Sequence, residues 1–330
     1  MTKVILSVED LRVNFSTPKG ELSAVRGVSF NVKEGQVFGI VGESGCGKSV
    51  TGRAIMRLVP SPGKITANRI QYRHIDILKS SESDMRTLRG RRIAMVFQDP
   101  SAALNPLFTI GAQISAIIRQ HRIATGNAVR LRAINLLAEL GLPSPTEIFD
   151  RYPHQLSGGM QQRAMLSMAL AAEPDLLIAD EATTALDVTI QAQILELLSK
   201  LQRERGLTLI FITHDLGLVA EICDHIAVFY MGEIVEEGTP NCIFHSTRHP
   251  YTKGLLGALP GSQSLGKPLK VIPGSVPNST TQFTGCSFAN RCESVMADCR
   301  IVEPPDVLFS TNHRVSCHLY SDQLVAGPDR

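Results

Sequence analysis

The chain has 330 residues, enough for about two domains and a sizeable core. Lysine and arginine total 33 against 31 acidic residues, so the formal charge of +2 gives no basic excess of the kind that dedicated nucleic-acid binders carry. We therefore expect no nucleic-acid partner. With 43% hydrophobic and 19% charged residues, the composition is typical of a globular protein and excludes a disordered chain.

No targeting or membrane segment is evident in the sequence. No apolar run approaches the roughly eighteen residues of a membrane span. At the start of the chain Glu9 and Asp10 follow too soon for a signal-peptide core to form. We expect the chain to remain in the cytosol.

Strand and helix patterns alternate along the first part of the chain. Buried-strand patterns cover residues 36–41, 176–180 and 208–213, and helical spacing covers residues 48–58 and 190–201. Strands separated by helices of this length predict an α/β fold with a parallel sheet, whose ligands bind at the carboxyl ends of the strands.

The segment between the first strand and the first helix matches the phosphate-loop pattern G-x4-G-K-[ST]. It reads Gly42, Glu43, Ser44, Gly45, Cys46, Gly47, Lys48 and Ser49. Its glycines allow backbone N–H groups to surround phosphates, Lys48 supplies a cation, and the Ser49 hydroxyl is a Mg²⁺ ligand. A glycine-rich turn is the alternative, but the strand and helix on either side favour ATP binding.

Two carboxylates and a histidine follow the later strands. Asp180 and Glu181 end the 176–180 strand, where Asp180 would hold Mg²⁺ and Glu181 would polarise the water that attacks the γ-phosphate. A helix cap is the simpler explanation of such a pair without a phosphate loop. His214 directly follows the 208–213 strand, at the same predicted sheet edge.

A second glycine-rich helix start lies at Leu156–Ser157–Gly158–Gly159 and opens an apolar helix that runs to about residue 172. Bare glycine amides at a helix N-terminus form an anion site. Since one chain needs only one such site for its own nucleotide, this second site is predicted to serve a nucleotide bound to another subunit.

These motifs, in this order and at these spacings, resemble the ATP-binding subunits of ABC transporters. The similarity includes Gln98 within Val-Phe-Gln-Asp-Pro, the Leu-Ser-Gly-Gly-Met-Gln-Gln-Arg signature and Asp187. The resemblance implies a P-loop ABC ATPase cassette with a helical subdomain at about 100–170. It also implies roles for individual residues: adenine stacking by Phe15, Mg²⁺ contact and partner sensing by Gln98, γ-phosphate contact in trans by Ser157 and Gly159, general base catalysis by Glu181, γ-phosphate contact by His214 and a subunit bridge by Asp187.

For Phe15 a buried strand position is an equally good explanation. One departure from the family is Ala182, where proline usually follows the catalytic glutamate. The change puts the rate of ATP hydrolysis in question more than the chemistry of that reaction. A second departure is Cys46, where serine is commoner. A thiol at a helix N-terminus is favoured as a reactive thiolate, although a small inward-facing spacer is an open alternative.

Two further segments resemble the oligopeptide and dipeptide importers: residues 97–106 and the His-Pro-Tyr-Thr-Lys-Gly-Leu-Leu run at 249–256. The resemblance implies a paralogous ATPase subunit in a heterodimer, two permease subunits, an external peptide-binding protein, and a peripheral position on the cytoplasmic face of the inner membrane. Related importers of nickel, glutathione or antimicrobial peptides are the alternative.

A non-transport ATPase of the same superfamily is disfavoured, because the chain has one cassette and no long heptad array between Ser49 and Ser157. A binding module without catalysis is also disfavoured. Lys48, Gln98, Glu181 and His214 are all present.

Nine of the 18 prolines lie from Pro240 onward, where the periodic patterns fade. We therefore divide the chain into a nucleotide-binding domain at 1–245 and a small cysteine-rich C-terminal domain at 246–330. Four of the seven cysteines lie there, with five, six and seventeen residues between them: Cys286, Cys292, Cys299 and Cys317. Spacing alone leaves zinc, an iron-sulfur cluster or free thiols open. Resemblance to the peptide importers favours a 4Fe-4S cluster, with zinc as the alternative.

Overall fold

A computed structural model describes residues 3–18, 20–182, 188–259, 271–277 and 283–324. The strands are β1 (Val4–Thr17), β2 (Gly20–Lys33), β3 (Val37–Val41), β4 (Gly63–Thr66), β5 (Arg69–Tyr72), β6 (Ile75–Asp76), β7 (Ile93–Val96), β8 (Leu176–Asp180), β9 (Thr208–Thr213), β10 (His225–Tyr230), β11 (Glu233–Gly238), β12 (Asp306–Ser310) and β13 (His313–Ser316). The α-helices are α1 (Lys48–Ile55), α2 (Glu82–Leu88), α3 (Pro100–Ala103), α4 (Ile110–Gln120), α5 (Ala128–Glu139), α6 (Pro145–Asp150), α7 (Gly158–Leu170), α8 (Val188–Arg205), α9 (Leu216–Ile222), α10 (Pro240–His245) and α11 (Pro250–Gly257).

The chain forms two compact units. The first contains Lys33–Val37 and Lys79–Ile212, and the second contains Val4–Val32, Phe38–Leu78 and the chain from Thr213 onward. Both units are therefore assembled from separated stretches of sequence.

The first unit has a parallel sheet with strand order β7-β8-β9. Its strands consist of buried apolar residues apart from a few polar positions, which is typical of parallel strands covered on both faces. Helices α4, α5, α6 and α7 pack against one another. The predicted strands at 176–180 and 208–213 and the helix after Ile190 are confirmed by β8, β9 and α8.

The second unit contains two sheets. In one, β3 pairs in parallel with β10, and β11, β13 and β12 continue the sheet in antiparallel order. In the other, β1 pairs with β4 and β5, and β6 pairs with β5. The strand and helix predicted on either side of the phosphate loop are confirmed as β3 and α1, whereas the long strands β1 and β2 were not predicted.

Residues after 245 continue the sheet of the second unit. Strand β11 lies before the predicted boundary and β13 lies after it, yet they pair, with Glu236 opposite Val315. Backbone hydrogen bonds thus cross the boundary, and a separate cysteine-rich C-terminal domain is not supported. The strands of this region have only four to six residues, too few for their periodicity to stand out from the sequence.

In the part of the chain that the structure describes, no helix combines the length and the apolar character needed to cross a membrane.

Candidate nucleotide site

The phosphate loop has the backbone that its glycines were predicted to supply. Gly42, Gly45 and Gly47 have φ angles of 153°, 79° and 100°, a region that side chains with a Cβ rarely adopt. A Cβ at Gly42 would lie 2.2 Å from the carbonyl oxygen of Phe229, and one at Gly47 would lie 2.3 Å from that of Ala24. The loop therefore requires glycine for conformation and, at these two positions, for space.

Lys48 begins α1 and is buried. Its Nζ donates hydrogen bonds to the carbonyl oxygens of Gly42 at 2.9 Å and of Glu43 at 3.0 Å. The ammonium group is thus held inside the loop. Ser44 and Gly45 are exposed at the tip of the loop, and Ser49 is half-buried in the first turn of the helix.

The Cys46 thiol is 1% exposed. Burial raises its pKa, and the nearby Lys48 ammonium offsets this only in part. The structure therefore does not support the reactive thiolate expected at this position. Burial disfavours the charged form more strongly than the cation favours it. The alternative, a small inward-facing spacer, agrees with the structure.

Phe15 lies on β1, opposite Gly63 of β4. The side chain is half-buried, and a Cβ at Gly63 would lie 2.7 Å from Cε1 of its ring. The ring therefore packs on the glycine and keeps part of its surface exposed. Both the adenine-stacking role and the structural role remain compatible with this position.

Gln98 and Glu181 meet in the first unit. Gln98 follows β7 and Glu181 follows β8, and Nε2 of Gln98 donates a 2.7 Å hydrogen bond to Oε2 of Glu181. Asp180, the last residue of β8, is buried. Glu181 has a φ of 47°, and its N–H donates to the carbonyl of Ile212. The sequence predicted these residues for one site, and the structure brings Gln98 and Glu181 into contact. Within this unit, the carboxylate of Asp180 and the amide oxygen of Gln98 are donors of the kind that Mg²⁺ prefers.

The signature segment caps helix α7. Ser157 is the N-cap, and its Oγ accepts a hydrogen bond from the N–H of Met160 at 3.4 Å. Ser157 and Gly158 are exposed, and a Cβ at Gly158 would meet nothing within 4 Å. A Cβ at Gly159 would lie 3.2 Å from Cγ2 of Ile190. Ser157 and Gly158 thus face solvent.

His214 directly follows β9 and is exposed. The next residue, Asp215, caps α9 by accepting a hydrogen bond from the N–H of Gly217 at 2.8 Å. The role predicted for Asp187 falls outside the described residues.

The four-cysteine metal site is not confirmed. Among the residues described, no group of three or more His, Cys, Asp or Glu side chains is placed to hold a metal ion. Burial raises the pKa of Cys286 to about 12 and that of Cys317 to about 11, and Cys299 Sγ accepts a hydrogen bond from Met296 N–H. At Cys286 and Cys317 burial therefore favours the neutral thiol, whereas metals bind the thiolate.

Two residues that contact the phosphate loop were not predicted for the site. Tyr251 and Arg291 both contact Glu43. Tyr251 lies in the His-Pro-Tyr segment, which attracted notice only for its family likeness. No local pattern marks Arg291, which is 248 residues from its partner.

A glycine-rich loop between a strand and a helix, a Gln–Glu pair at the ends of parallel strands and a Ser-Gly-Gly helix cap together define an ATP-binding cassette. Residues 25–184 match the family described as ABC transporter, and residues 235–299 match the oligopeptide/dipeptide transporter C-terminal region. The chain belongs to the ATP-binding proteins of the ABC transporter family, in the group that carries this C-terminal region.

Relatives match over nearly the full chain. The dipeptide transport ATP-binding protein DppD of Bacillus subtilis is 48% identical, covering 96% of this chain and 94% of the relative. DppD of Escherichia coli is 46% identical, and the match covers 95% of this chain and 96% of the relative. The oligopeptide transport ATP-binding protein OppD of Bacillus subtilis is 47% identical, and the match covers 96% of this chain and 88% of the relative.

Solved cassettes share the fold. The ATP-binding cassette MJ0796, in a dimeric post-hydrolysis state bound to ADP and Pi, superposes with a TM-score of 0.65 at 29% identity. The match covers 71% of this chain and 98% of that structure. The similarity therefore covers the cassette of that protein almost completely.

Proposed function

We propose that this chain is the ATP-hydrolysing subunit of an importer for dipeptides or oligopeptides. The observation that carries the proposal is the intact Gln98–Glu181 pair in a chain whose full-length relatives are dipeptide and oligopeptide transport ATP-binding proteins. Hydrolysis needs a base beside the γ-phosphate, and these relatives are named for the transport of dipeptides or oligopeptides.

The proposed reaction is attack of water on the γ-phosphorus of ATP. The amides of the loop at Gly42, Gly45 and Gly47 and the ammonium of Lys48 bind the phosphates. Glu181 accepts the proton of the attacking water as the new P–O bond forms and the bond to the ADP oxygen breaks. His214 contacts the γ-phosphate, and Phe15 stacks on adenine. Mg²⁺, held by Ser49, Asp180 and Gln98, would neutralise phosphate charge.

The signature implies a second ATPase subunit. Exposure of Ser157 and Gly158 supports a role toward a nucleotide bound by that partner. We propose a paralogous chain in a heterodimer, bridged through Asp187, together with two permeases and an external peptide-binding protein. The complex would place this chain at the cytoplasmic face of the inner membrane. Residues 1–245, with the helical part at about 100–170, would form the nucleotide-binding domain, and residues 246–330 the extension found in peptide importers.

The metal centre is retained as a separate proposal. Its support is the family likeness, which includes the match of residues 235–299 to the oligopeptide/dipeptide transporter C-terminal region. A 4Fe-4S cluster is favoured over zinc. Protein purified without oxygen should contain iron and acid-labile sulfide, and Cys292→Ser should lose both. Colourless protein with stoichiometric zinc would contradict the cluster.

Transport tests the function directly. The chain, its paralogue and the two permeases are reconstituted in liposomes, with the peptide-binding protein and a labelled dipeptide inside and ATP supplied on the side of the ATPases. ATP-dependent release of the dipeptide is expected, and Lys48→Ala should abolish it. If ATP is hydrolysed while no peptide is moved and a nickel complex or glutathione is moved instead, the peptide assignment is wrong.

A further inference from the structure

Glu43, the second residue of the phosphate loop, is bonded at both its backbone and its side chain. Its N–H donates a 3.0 Å hydrogen bond to the hydroxyl oxygen of Tyr251. Its carboxylate accepts two hydrogen bonds from Arg291, Nη1 to Oε2 at 2.7 Å and Nη2 to Oε1 at 3.1 Å. Both partners lie in the part of the chain that follows residue 245.

Tyr251 is firmly held. It is fully buried at the start of α11, and its N–H donates to Nδ1 of His249 at 3.1 Å. Its ring packs on those of Tyr230 and Phe288, with centroids 4.7 Å and 5.3 Å away. The hydroxyl is thus presented to the loop by a rigid aromatic cluster.

Arg291 is equally constrained. It ends a short 3-10 helix, Ala289–Arg291, and its Nε donates to the carbonyl of Pro273 at 3.0 Å. The side chain is 6% exposed, and that of Glu43 is 28% exposed. A planar guanidinium that makes two parallel hydrogen bonds to a carboxylate fixes the orientation of its partner as well as its distance.

The anchored residue lies between a glycine and the exposed tip of the loop. Glu43 follows Gly42 and precedes the exposed Ser44 and Gly45 at the tip. Glycine-rich backbone loses much conformational entropy when it is ordered, so contacts that restrict the free loop reduce the entropy lost on ATP binding. The two hydrogen bonds from Arg291 to the Glu43 carboxylate are such contacts, and so is the hydrogen bond that the Glu43 N–H donates to Tyr251.

We propose that Arg291 and Tyr251 are positioning residues for ATP, acting through Glu43 to hold the phosphate loop in its binding conformation. The inference rests on the proposed function in that ATP is taken as the ligand of the loop. It gives the His-Pro-Tyr segment and the residue beside Cys292 a role in the nucleotide site. The C-terminal extension is thereby coupled to ATP binding.

The test is ATP titration of the full-length chain with Mg²⁺, in the wild type and in Arg291→Gln, Glu43→Gln and the double variant. We expect Arg291→Gln to weaken ATP binding about tenfold. In the assembled ATPase, KM for ATP should rise by a similar factor, with kcat changed much less. The double variant should bind ATP no more weakly than Arg291→Gln alone, because both single changes break the same pair of hydrogen bonds between Arg291 and Glu43.

A matched control is Arg314→Gln. Arg314 belongs to the same part of the chain, and its partners among the described residues are Glu237, Asp306 and the carbonyl of Ser29, none of them in the phosphate loop. Its loss should leave ATP affinity at the wild-type value. Tyr251→Phe, which preserves the ring, should weaken binding several-fold, and Arg291→Lys should restore part of what Arg291→Gln loses.

The outcomes separate the two proposals. A wild-type chain that binds no ATP contradicts the proposed function itself. Wild-type binding with unchanged affinity in Arg291→Gln and Tyr251→Phe overturns the positioning role, as does a loss in Arg314→Gln equal to that in Arg291→Gln. Additive losses in the double variant would likewise overturn it. If Arg291→Gln does not fold, Tyr251→Phe and Arg291→Lys test the same anchor.

Discussion

Nε2 of Gln98 donates a 2.7 Å hydrogen bond to Oε2 of Glu181, joining residues 83 positions apart in sequence. The contact follows from the parallel pairing of β7 and β8, which places Val96 opposite Ala179. Side chains that follow these strands emerge at the same edge of the sheet. The amide therefore orients the carboxylate that we propose as the general base.

Glu181→Gln should abolish ATP turnover while ATP still binds. The amide cannot accept the proton of the attacking water, so hydrolysis should fall by a factor of about 10² to 10⁴. Nucleotide affinity and phosphate release are measured on the same preparation. Gln98→Ala is the comparison variant: it removes the orienting hydrogen bond and a proposed Mg²⁺ ligand but leaves the base in place, and it should lose less activity. Undiminished hydrolysis in Glu181→Gln would show that another residue is the general base.

Ser157→Arg should act in trans. Ser157 caps α7 at an exposed position, so a bulky cation there should leave ATP binding to the isolated chain intact. In the assembled pair it should stop hydrolysis at the nucleotide held by the partner's phosphate loop. Lys48→Ala gives the opposite result, with binding lost in the isolated chain. Equal loss of affinity in both isolated variants would contradict a head-to-tail pair.

Gly42→Ala should be more damaging than Gly45→Ala. The new Cβ at position 42 would lie 2.2 Å from a backbone oxygen, whereas at position 45 nothing lies within 4 Å. Both residues have positive φ, which costs alanine about 1 kcal/mol, and the clash adds roughly 2 kcal/mol at position 42. Denaturant unfolding measures the difference. Equal destabilisation would show that the Phe229 carbonyl can move at no cost.

Cys46 should react slowly with maleimide. Burial raises the pKa of its thiol and blocks access, so modification should follow that of the more exposed cysteines. Site-resolved mass spectrometry of native protein after short labelling tests this, with unfolded protein as the control in which Cys46 is labelled fully. If Cys46 of the native protein is labelled rapidly and ATP slows the labelling, Cys46 is a reactive thiolate.

Acid should destabilise the fold through His249. Burial lowers its pKa to about 3, and the Lys253 charge acts in the same direction. Below a pH of about 6.5 the unfolded chain takes up a proton that the folded chain excludes, so stability falls as pH falls from about 6.5 toward 3. Between pH 7 and pH 5 the wild type should lose about 2 kcal/mol more than His249→Asn, a helix-capping variant that does not titrate. Parallel pH dependence of the two unfolding free energies would contradict the neutral buried histidine.

Local patterns carried the prediction of the cassette. The phosphate loop, the β8 strand with Asp180 and Glu181, and the Ser157 cap each lie within a few consecutive residues, where spacing and residue type determine backbone shape directly. Gln98 was identified through its family motif. Its hydrogen bond to Glu181 required the parallel pairing of two strands.

Tertiary structure decided what depended on burial and on distant pairing. The sequence marks Cys46 as a thiol at a helix N-terminus, but only the packing around it makes desolvation exceed the effect of the nearby cation. The sequence likewise places a boundary near residue 245, whereas the hydrogen bonds between β11 and β13 cross it. Arg291 reaches Glu43 across 248 residues because the fold brings the C-terminal segment onto the phosphate loop. Such contacts depend on the path of the whole chain, which no local pattern specifies.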